Sequence, residues 1–149
     1  MTDTPDPTTG PGTLSEDLRT FLDDEHFATI ATIDPDGRPR QAVIWYTLDG
    51  DEIVINSAVG RRWPANLVRD PRLSMAIADR HDGYRWVGLT GVVRVVTDQA
   101  TAQADIANMA RRYHADDPAE AERLIRDRFE LQERISFRLP IANAHLHLD

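Results

Sequence analysis

The chain has 149 residues and a formal net charge of −8, with 25 acidic residues, 17 basic residues and no cysteine. A chain of this length corresponds to one domain of ordinary size, so no second domain is expected. The lack of cysteine excludes disulfides, thiol nucleophiles and thiolate metal sites. Every basic residue is arginine, which also excludes catalysis through a lysine Schiff base.

The negative charge lies mainly at the two ends of the chain. Residues 1–25 have a net charge of −6 and residues 101–149 a net charge of −2, whereas residues 26–100 are neutral. A local cluster of arginines in the neutral part suits a small anionic ligand, because nucleic acid or an anionic membrane requires a broad basic face. The members of this cluster are Arg61, Arg62, Arg69 and Arg72.

The two ends of the domain are predicted from composition. Residues 1–12 are rich in Pro, Gly and Thr without apolar periodicity, so we predict a disordered tail followed by a single domain over 13–149. The N-terminus has no basic-then-apolar signal, and no apolar run approaches the length of a membrane span. We therefore expect a cytoplasmic protein with no membrane partner.

The first predicted element is a short amphipathic helix. Ser15 is a suitable N-cap, and the apolar residues Leu18, Phe21 and Leu22 follow at helical spacing. We predict that this helix ends near Asp23 and that its apolar side packs on the core.

Strands joined by tight turns follow the helix. Residues 27–33 form an apolar and β-branched run, the Asp-Pro-Asp-Gly sequence at 34–37 is typical of a hairpin turn, and residues 38–47 form a second strand. A further turn at 49–51 leads to a third strand at 53–57. Such short connections predict antiparallel pairing.

We interpret the segment after the third strand as an anion site. A turn of small residues ends at Gly60 and brings Arg61 and Arg62 to the start of a helix, where backbone N–H groups are unpaired. Pro64 suits the first turn of this helix, and the Asp-Pro step at 70–71 ends it. Guanidinium groups at such a position favour phosphate. The alternative interpretation is an ordinary surface connection with solvated arginines.

Three more strands complete the predicted sheet, at 73–79, at 84–96 and, near the end of the chain, at 135–139. A long antiparallel meander in so short a chain tends to close into a small barrel. The predicted class is therefore mainly β with helices.

Two helices are predicted before the closing strand. The first begins after Asp98, and the second begins at Pro118. In the second helix, Arg128 lies on the same side as the apolar residues Leu124 and Ile125.

The sequence patterns of the common catalytic sites are missing. There is no G-x-S-x-G, no P-loop, no G-x-G-x-x-G after a strand and no H-E-x-x-H, so no catalytic residue is assigned. His145 and His147 share one face of a possible terminal strand, but two ligands without a third do not make a metal site. We predict no metal.

Two segments resemble a known family. They are I-V-I-N-S-A-V-G-R-R-W-P-A-N-L-V-R-D-P-R and A-D-R-H-D-G-Y-R-W-V-G-L-T-G-V-V-R-V, which are similar to the pyridoxamine 5'-phosphate oxidase-like split-barrel family and, more narrowly, to its branch that uses the deazaflavin coenzyme F420. The resemblance runs from Ser15 to the end of the chain. It implies a six-stranded antiparallel split β-barrel of the FMN-binding type that forms a homodimer, with two cofactor sites at the subunit interface.

The resemblance also implies which residues bind the cofactor. It places the phosphate at the end of the third strand and the following arginine-bearing turn, the ring along the second strand, and two aromatic residues beside the cofactor. Trp63 stands where relatives often carry lysine. The implied cofactor-binding residues are Val43, Ile44, Trp45, Asn56, Ser57, Gly60, Arg61, Arg62, Trp63, Tyr84 and Trp86.

The activity that the resemblance implies is hydride transfer from reduced F420 to an unsaturated, quinone-like or tetrapyrrole-like small molecule, with solvent or Tyr46 as the proton donor. One alternative is an FMN-dependent oxidase or reductase of the same fold. The other is a non-catalytic protein that binds F420, FMN or haem. No nucleic-acid partner is expected.

Overall fold

The computed structural model describes residues 14–149, so the tail predicted at 1–12 lies outside the described residues. The strands are β1 (Phe27–Ile33), β2 (Pro39–Ile44), β3 (Thr47–Asp49), β4 (Glu52–Ala58), β5 (Arg72–Ala78), β6 (Trp86–Val92), β7 (Arg94–Val96), β8 (Arg134–Pro140) and β9 (Ala144–His147). The helices are α1 (Glu16–Asp23), α2 (Arg62–Arg69), α3 (Gln99–Tyr113) and α4 (Pro118–Asp127), with a short 3-10 helix at Phe129–Leu131. No helix among residues 14–149 is long and apolar enough to cross a membrane.

The strands form two sheets rather than a sheet of six continuous strands. Five strands pair in the order β2-β1-β5-β6-β9 and four in the order β3-β4-β8-β7, with antiparallel pairing throughout. The predicted mainly β class is confirmed, and the predicted count of six strands is not, because the described residues contain nine.

Two of the three additional strands arise because two predicted strands are broken where the chain passes between the sheets, and the third is β9, which pairs with β6. The strand predicted at 38–47 is divided into β2 and β3, and the one predicted at 84–96 is divided into β6 and β7. At the second break, the backbone N–H of Val93 donates to the carbonyl of Pro71 at 2.9 Å instead of to a ladder partner. Each broken strand therefore belongs to both sheets, as in a split barrel.

The main core lies between the two sheets. Fully buried side chains from both meet there with α1 and α2, among them Ile77, Leu89 and Phe137. A second apolar cluster lies on the other side of β4, where Val54 packs against α3 and α4. β4 is thus buried on both faces, which explains why polar residues near its end lie inside the protein.

Helix α2 is attached to the end of β1 by buried polar contacts. The Nδ2 group of Asn66 donates to Thr32 Oγ1 at 3.1 Å and to Asp34 Oδ1 at 2.9 Å. The Arg69 guanidinium donates to the carbonyl of Ile33 and to Asn66 Oδ1. The N-L-x-R-D-P-R segment therefore has a structural role, which is to hold α2 over the hairpin.

His26 is a buried titratable group between α1 and the five-stranded sheet. Only 1% of the residue is exposed, its ring stacks on Phe21 at 4.4 Å, and its Nδ1 accepts from the backbone N–H of Arg80 at 3.2 Å. Burial lowers the pKa of His26 below its ordinary value of 6.5, against the opposing effect of Asp24 and Asp79.

We expect His26 to make the protein less stable as the pH falls below about 6.5. The unfolded chain then binds a proton that the folded protein takes up only at lower pH, so this loss grows until the folded pKa is reached. Urea unfolding of the parent and of His26→Gln at pH 7 and pH 5 tests this, with exposed His81→Gln as the control. The pH-dependent loss should be smaller in His26→Gln alone, and an equal loss in all three proteins contradicts the prediction.

Candidate functional site

A cavity of about 340 Å³ opens where β1 and β2 meet the end of β4, the start of α2 and the α3–α4 side of the molecule. Its lining combines aromatic and apolar side chains with three arginines and no carboxylate. The lining residues are Phe27, Val43, Ile44, Trp45, Asn56, Ser57, Arg61, Trp63, Ile106, Met109, Arg128, Phe129 and Arg134.

The three lining arginines differ from the rest of the seventeen, all of which lie in the described part of the chain. Twelve form ion pairs with carboxylates, and Arg69 and Arg112 donate to main-chain carbonyls. The remaining three are Arg61, Arg128 and Arg134, which neither pair with a carboxylate nor donate to a main-chain carbonyl among the described residues. Three of the five arginines without a carboxylate partner thus lie at one cavity.

Arg134, the first residue of β8, is only 3% exposed. Its Nε donates to Asn56 Oδ1 at 3.0 Å and its Nη1 to Gln132 Oε1 at 2.6 Å, and the guanidinium lies 5.0 Å from the centre of the Phe129 ring. Burial, followed by the positive charges of Arg61 and Arg128, lowers the pKa of Arg134 to about 10. Arg134 therefore stays charged at neutral pH, held by neutral acceptors.

Asn56 and Ser57 near the end of β4 both line the cavity, but their side chains differ in hydrogen bonding. The Asn56 amide donates to the carbonyl of Ala102 at 2.9 Å and to Ser136 Oγ at 2.8 Å, and its oxygen accepts from Arg134. The buried Oγ of Ser57 has no hydrogen-bond partner among the described residues. Ser57 is therefore available to a ligand, whereas Asn56 is occupied in holding its neighbours.

The aromatic wall of the cavity is fixed by the end of α3. Trp45 stacks on Tyr113 at 5.1 Å with the two rings 6° from parallel. The Tyr113 hydroxyl donates to the carbonyl of His26 at 2.5 Å, which ties this ring to the start of β1. Opposite α3, Trp63 is 8% exposed and packs on Phe137 with ring centres 5.8 Å apart. The residue at the position where relatives often carry lysine is therefore part of the core.

The structure separates the predicted arginine cluster. Arg61 lines the cavity, but Arg62 Nη1 lies 3.9 Å from Asp34 Oδ2, and Arg72 binds Asp70 at 2.7 Å. Gly60 does not line the cavity; its φ of +103° is needed for the turn that precedes Arg61.

The two aromatic residues that the resemblance placed beside the cofactor, Tyr84 and Trp86, lie outside this cavity. Tyr84 is 88% exposed in the turn before β6, and Trp86 lies on the outer face of the five-stranded sheet, stacked on His145 at 5.6 Å. Tyr46 is fully buried with its hydroxyl 2.9 Å from the carbonyl of Leu22, so it is not positioned to deliver a proton to the cavity.

Sequence patterns did not identify several lining residues, because they come from distant segments. Arg128 had a signal, since a cation on the apolar side of α4 needs a reason to be there. Arg134 had none, because an arginine that begins a strand is ordinary. The other lining residues that were not predicted are Phe27, Ile106, Met109 and Phe129.

Two sheets that share two broken strands, with an arginine-lined cavity at their junction, define a split-barrel-like protein. The chain belongs to the pyridoxamine 5'-phosphate oxidase family, whose sequence profile matches residues 14–136. This confirms the family resemblance described for the sequence.

Individual relatives differ in their described activities. The chain is 27% identical to the F420H(2)-dependent biliverdin reductase of Mycobacterium tuberculosis (strain CDC 1551 / Oshkosh) over 105 residues, covering 70% of this chain and 76% of that protein. A solved F420 reductase has a TM-score of 0.68 at 20% identity, over 88% of this chain and 98% of that one. The haem storage protein HutZ of Vibrio cholerae has a TM-score of 0.67 at 20% identity, over 89% and 94%. These two structural similarities show the fold alone.

The geometry predicts different effects for the two adjacent arginines. Arg61→Ala should weaken binding of a phosphate-bearing cofactor by one to two decades, since a charge-assisted hydrogen bond contributes about 1.5–3 kcal/mol. Arg62→Ala should have a smaller effect, because Arg62 is directed to Asp34. Fluorescence titration of both variants checks this, and equal losses contradict the separation seen in the structure.

Proposed function

We propose that the chain is an F420-dependent oxidoreductase that binds the deazaflavin in the arginine-lined cavity. The observation that carries this proposal is the meeting of aromatic wall and unpaired arginines in one cavity. A planar ring can pack on Val43, Ile44 and Trp45 at the end of β2. An anionic group can bind the guanidinium groups that line the cavity. The similarity to an F420-dependent reductase supports the choice of cofactor.

When bound, F420 supplies the hydride, and the substrate is an unsaturated or quinone-like small molecule. The residues of this chain bind and orient the two molecules. Trp45, held by Tyr113, fixes the plane of the ring, and the buried side chains of Phe129 and Trp63 keep water from that side of the cavity. Because Tyr46 is not at the cavity, the proton comes from solvent.

A second candidate is binding of FMN or haem without F420 chemistry, and the likeness to a haem storage protein supports it. FMN offers a planar ring and a phosphate, which suit the same wall and arginines. Haem is less well matched, because no histidine lines the cavity and Met109 is the one lining residue of a type that serves as an axial ligand of haem iron.

The homodimer is also a proposal, supported by the outer face of the five-stranded sheet. A shallow cavity of about 400 Å³ lies on this face, and none of its lining residues is acidic or an arginine, although 28% of the chain is charged. The face adjoins the arginine-lined cavity at β2, where Val43 pairs with Thr29 and is 70% exposed. Two copies joined here would place a partner beside each cavity. Small side chains of this face include Thr29, Ala31, Ser74, Ala76, Gly88 and Thr90.

We expect a dimer at micromolar concentration in sedimentation velocity. Ala76→Arg, at the centre of the uncharged face, should give a folded monomer, because it buries an unpaired charge in the interface. Leu131→Arg, at a residue that is 78% exposed elsewhere, is the control and should remain dimeric. A parent protein that sediments as a folded monomer contradicts the proposed assembly.

Titration with F420 and FMN tests the choice of cofactor. F420 should bind more tightly, and its affinity should fall more steeply with salt, since its polyglutamate tail adds charge and exposed charge pairs are screened within about 8–10 Å at physiological ionic strength. FMN binding as tightly as F420 favours the flavin-dependent alternative. Turnover with reduced F420 and a panel of acceptors then separates an enzyme from a binding protein.

A further inference from the structure

Arg134 is charged, buried and without a carboxylate partner. Burying an arginine in this way costs several kcal/mol unless another group offsets the charge. The described residues offer it amide oxygens from Asn56 and Gln132 and the face of Phe129, which orient the guanidinium without neutralising it. An anion bound in the cavity would compensate this charge.

We propose that the phosphate of the cofactor sits between Arg134 and Arg128, and that Asn56 and Gln132 position Arg134 without touching the ligand; this rests on the proposed function. The phosphate-binding site, called the phosphate seat below, is thus formed mainly by residues of β8 and of the end of α4. The turn between β4 and α2 contributes Arg61 and Ser57 to its edge.

Free hydrogen-bond donors support this seat. Arg134 uses Nε and one N–H of Nη1, and its other N–H groups, including those of Nη2, have no partner among the described residues. Arg128 makes no side-chain hydrogen bond or ion pair with any residue of 14–149. Two guanidinium groups with free donors match the several acceptor oxygens of a phosphate.

The other polar groups near the β4–α2 turn are less well placed to bind phosphate. Asn56 has both amide protons and its oxygen in hydrogen bonds, and Arg62 lies outside the cavity lining, with its Nη1 3.9 Å from Asp34 Oδ2. Trp63 places an apolar ring where the resemblance leads one to expect lysine. The cation that is lost at Trp63 is replaced from β8 and α4.

A substitution at Gln132 tests the phosphate seat, because Glu has nearly the same side-chain shape as Gln but carries a negative charge. Gln132 Oε1 accepts from Arg134, and its own side-chain N–H groups have no hydrogen bond in the structure, so Gln132→Glu breaks no contact. The new carboxylate forms an ion pair with Arg134 and neutralises the seat. The melting temperature should stay the same or rise, whereas a phosphate should be bound less well.

The experiment compares ligands with and without phosphate. F420 and its phosphate-free deazaflavin chromophore, and FMN and riboflavin, are titrated against the parent, Gln132→Glu and Arg128→Gln. In each variant the ratio of the two affinities should fall by about tenfold or more, with the affinity for the phosphate-free ligand unchanged. A merely structural role would weaken both ligands equally.

Matched controls isolate the position of the charge. Asn108→Asp adds the same negative charge to α3 at an exposed residue that lines a different cavity. Arg126→Gln removes one arginine from α4 that is paired with Asp127 outside the cavity. Both controls should keep the parent ratio.

The outcomes separate this inference from the proposed function. If F420 or FMN binds and the ratio is unchanged in both Gln132→Glu and Arg128→Gln, the cofactor proposal stands and the phosphate seat is wrong. If no ring ligand binds, the melting temperatures of the parent and both variants are measured with and without inorganic pyrophosphate. A rise in the parent that both variants lack supports the phosphate seat, and the lack of such a rise in the parent overturns it. Should Gln132→Glu fail to fold, Arg128→Gln decides alone.

Discussion

The hydrogen bonds around Arg134 join the parts of the molecule that form the cavity. The guanidinium binds Asn56 on β4, while the Gln99 side chain of α3 accepts from the Arg134 backbone N–H at 2.9 Å and donates to its carbonyl at 2.8 Å. A buried guanidinium that lost these acceptors would be strongly destabilising, because charge-bearing hydrogen bonds are costly to leave unmade. Arg134 therefore links β8 to β4 through its side chain and to α3 through its backbone, in addition to the ladder between β4 and β8, and its side chain also carries charge to the cavity.

The way the fold distributes its arginines has a functional consequence. Most are paired with carboxylates at the surface, where each pair contributes little to stability but cancels its charge locally. The chain as a whole is acidic, whereas Arg61, Arg128 and Arg134 bring three cations without a carboxylate partner to one cavity. This cavity is therefore a favourable place for an anion on an acidic protein.

Strand breaks place the cavity at the junction of the sheets. The chain leaves one sheet at the end of β2 and enters the other at β3, and Trp45 lies in this interval. A side chain in the middle of a paired strand would point to one face of its sheet, whereas Trp45 is free to stack on Tyr113 at the cavity wall. The same break leaves exposed Val43 between the cavity and the uncharged outer face. Cofactor binding and association of two copies are therefore proposed for adjoining surfaces.

The sequence by itself determined the elements that depend on neighbouring residues. The cap at Ser15, the Asp-Pro-Asp-Gly turn, the start of α2 near Arg62 and the strand at 135–139 are local features, and the structure confirms them. The family was recognised from two sequence segments, and the resemblance named Arg61, Ser57 and the end of β2, which line one cavity in the structure. Strand continuity did not, because a break between sheets leaves the apolar pattern unchanged.

Only the tertiary structure decided which cations face the cavity. Arg61 and Arg62 are adjacent in sequence, but α2 directs one to the cavity and the other to Asp34. Arg134 reaches the same cavity through a hydrogen bond to a residue 78 positions earlier, across the pairing of β4 with β8. Local spacing specifies turns and helix ends because their hydrogen bonds join near neighbours. The charge of a site is a balance of pairings between distant segments, and that balance exists only after the sheets and helices have packed.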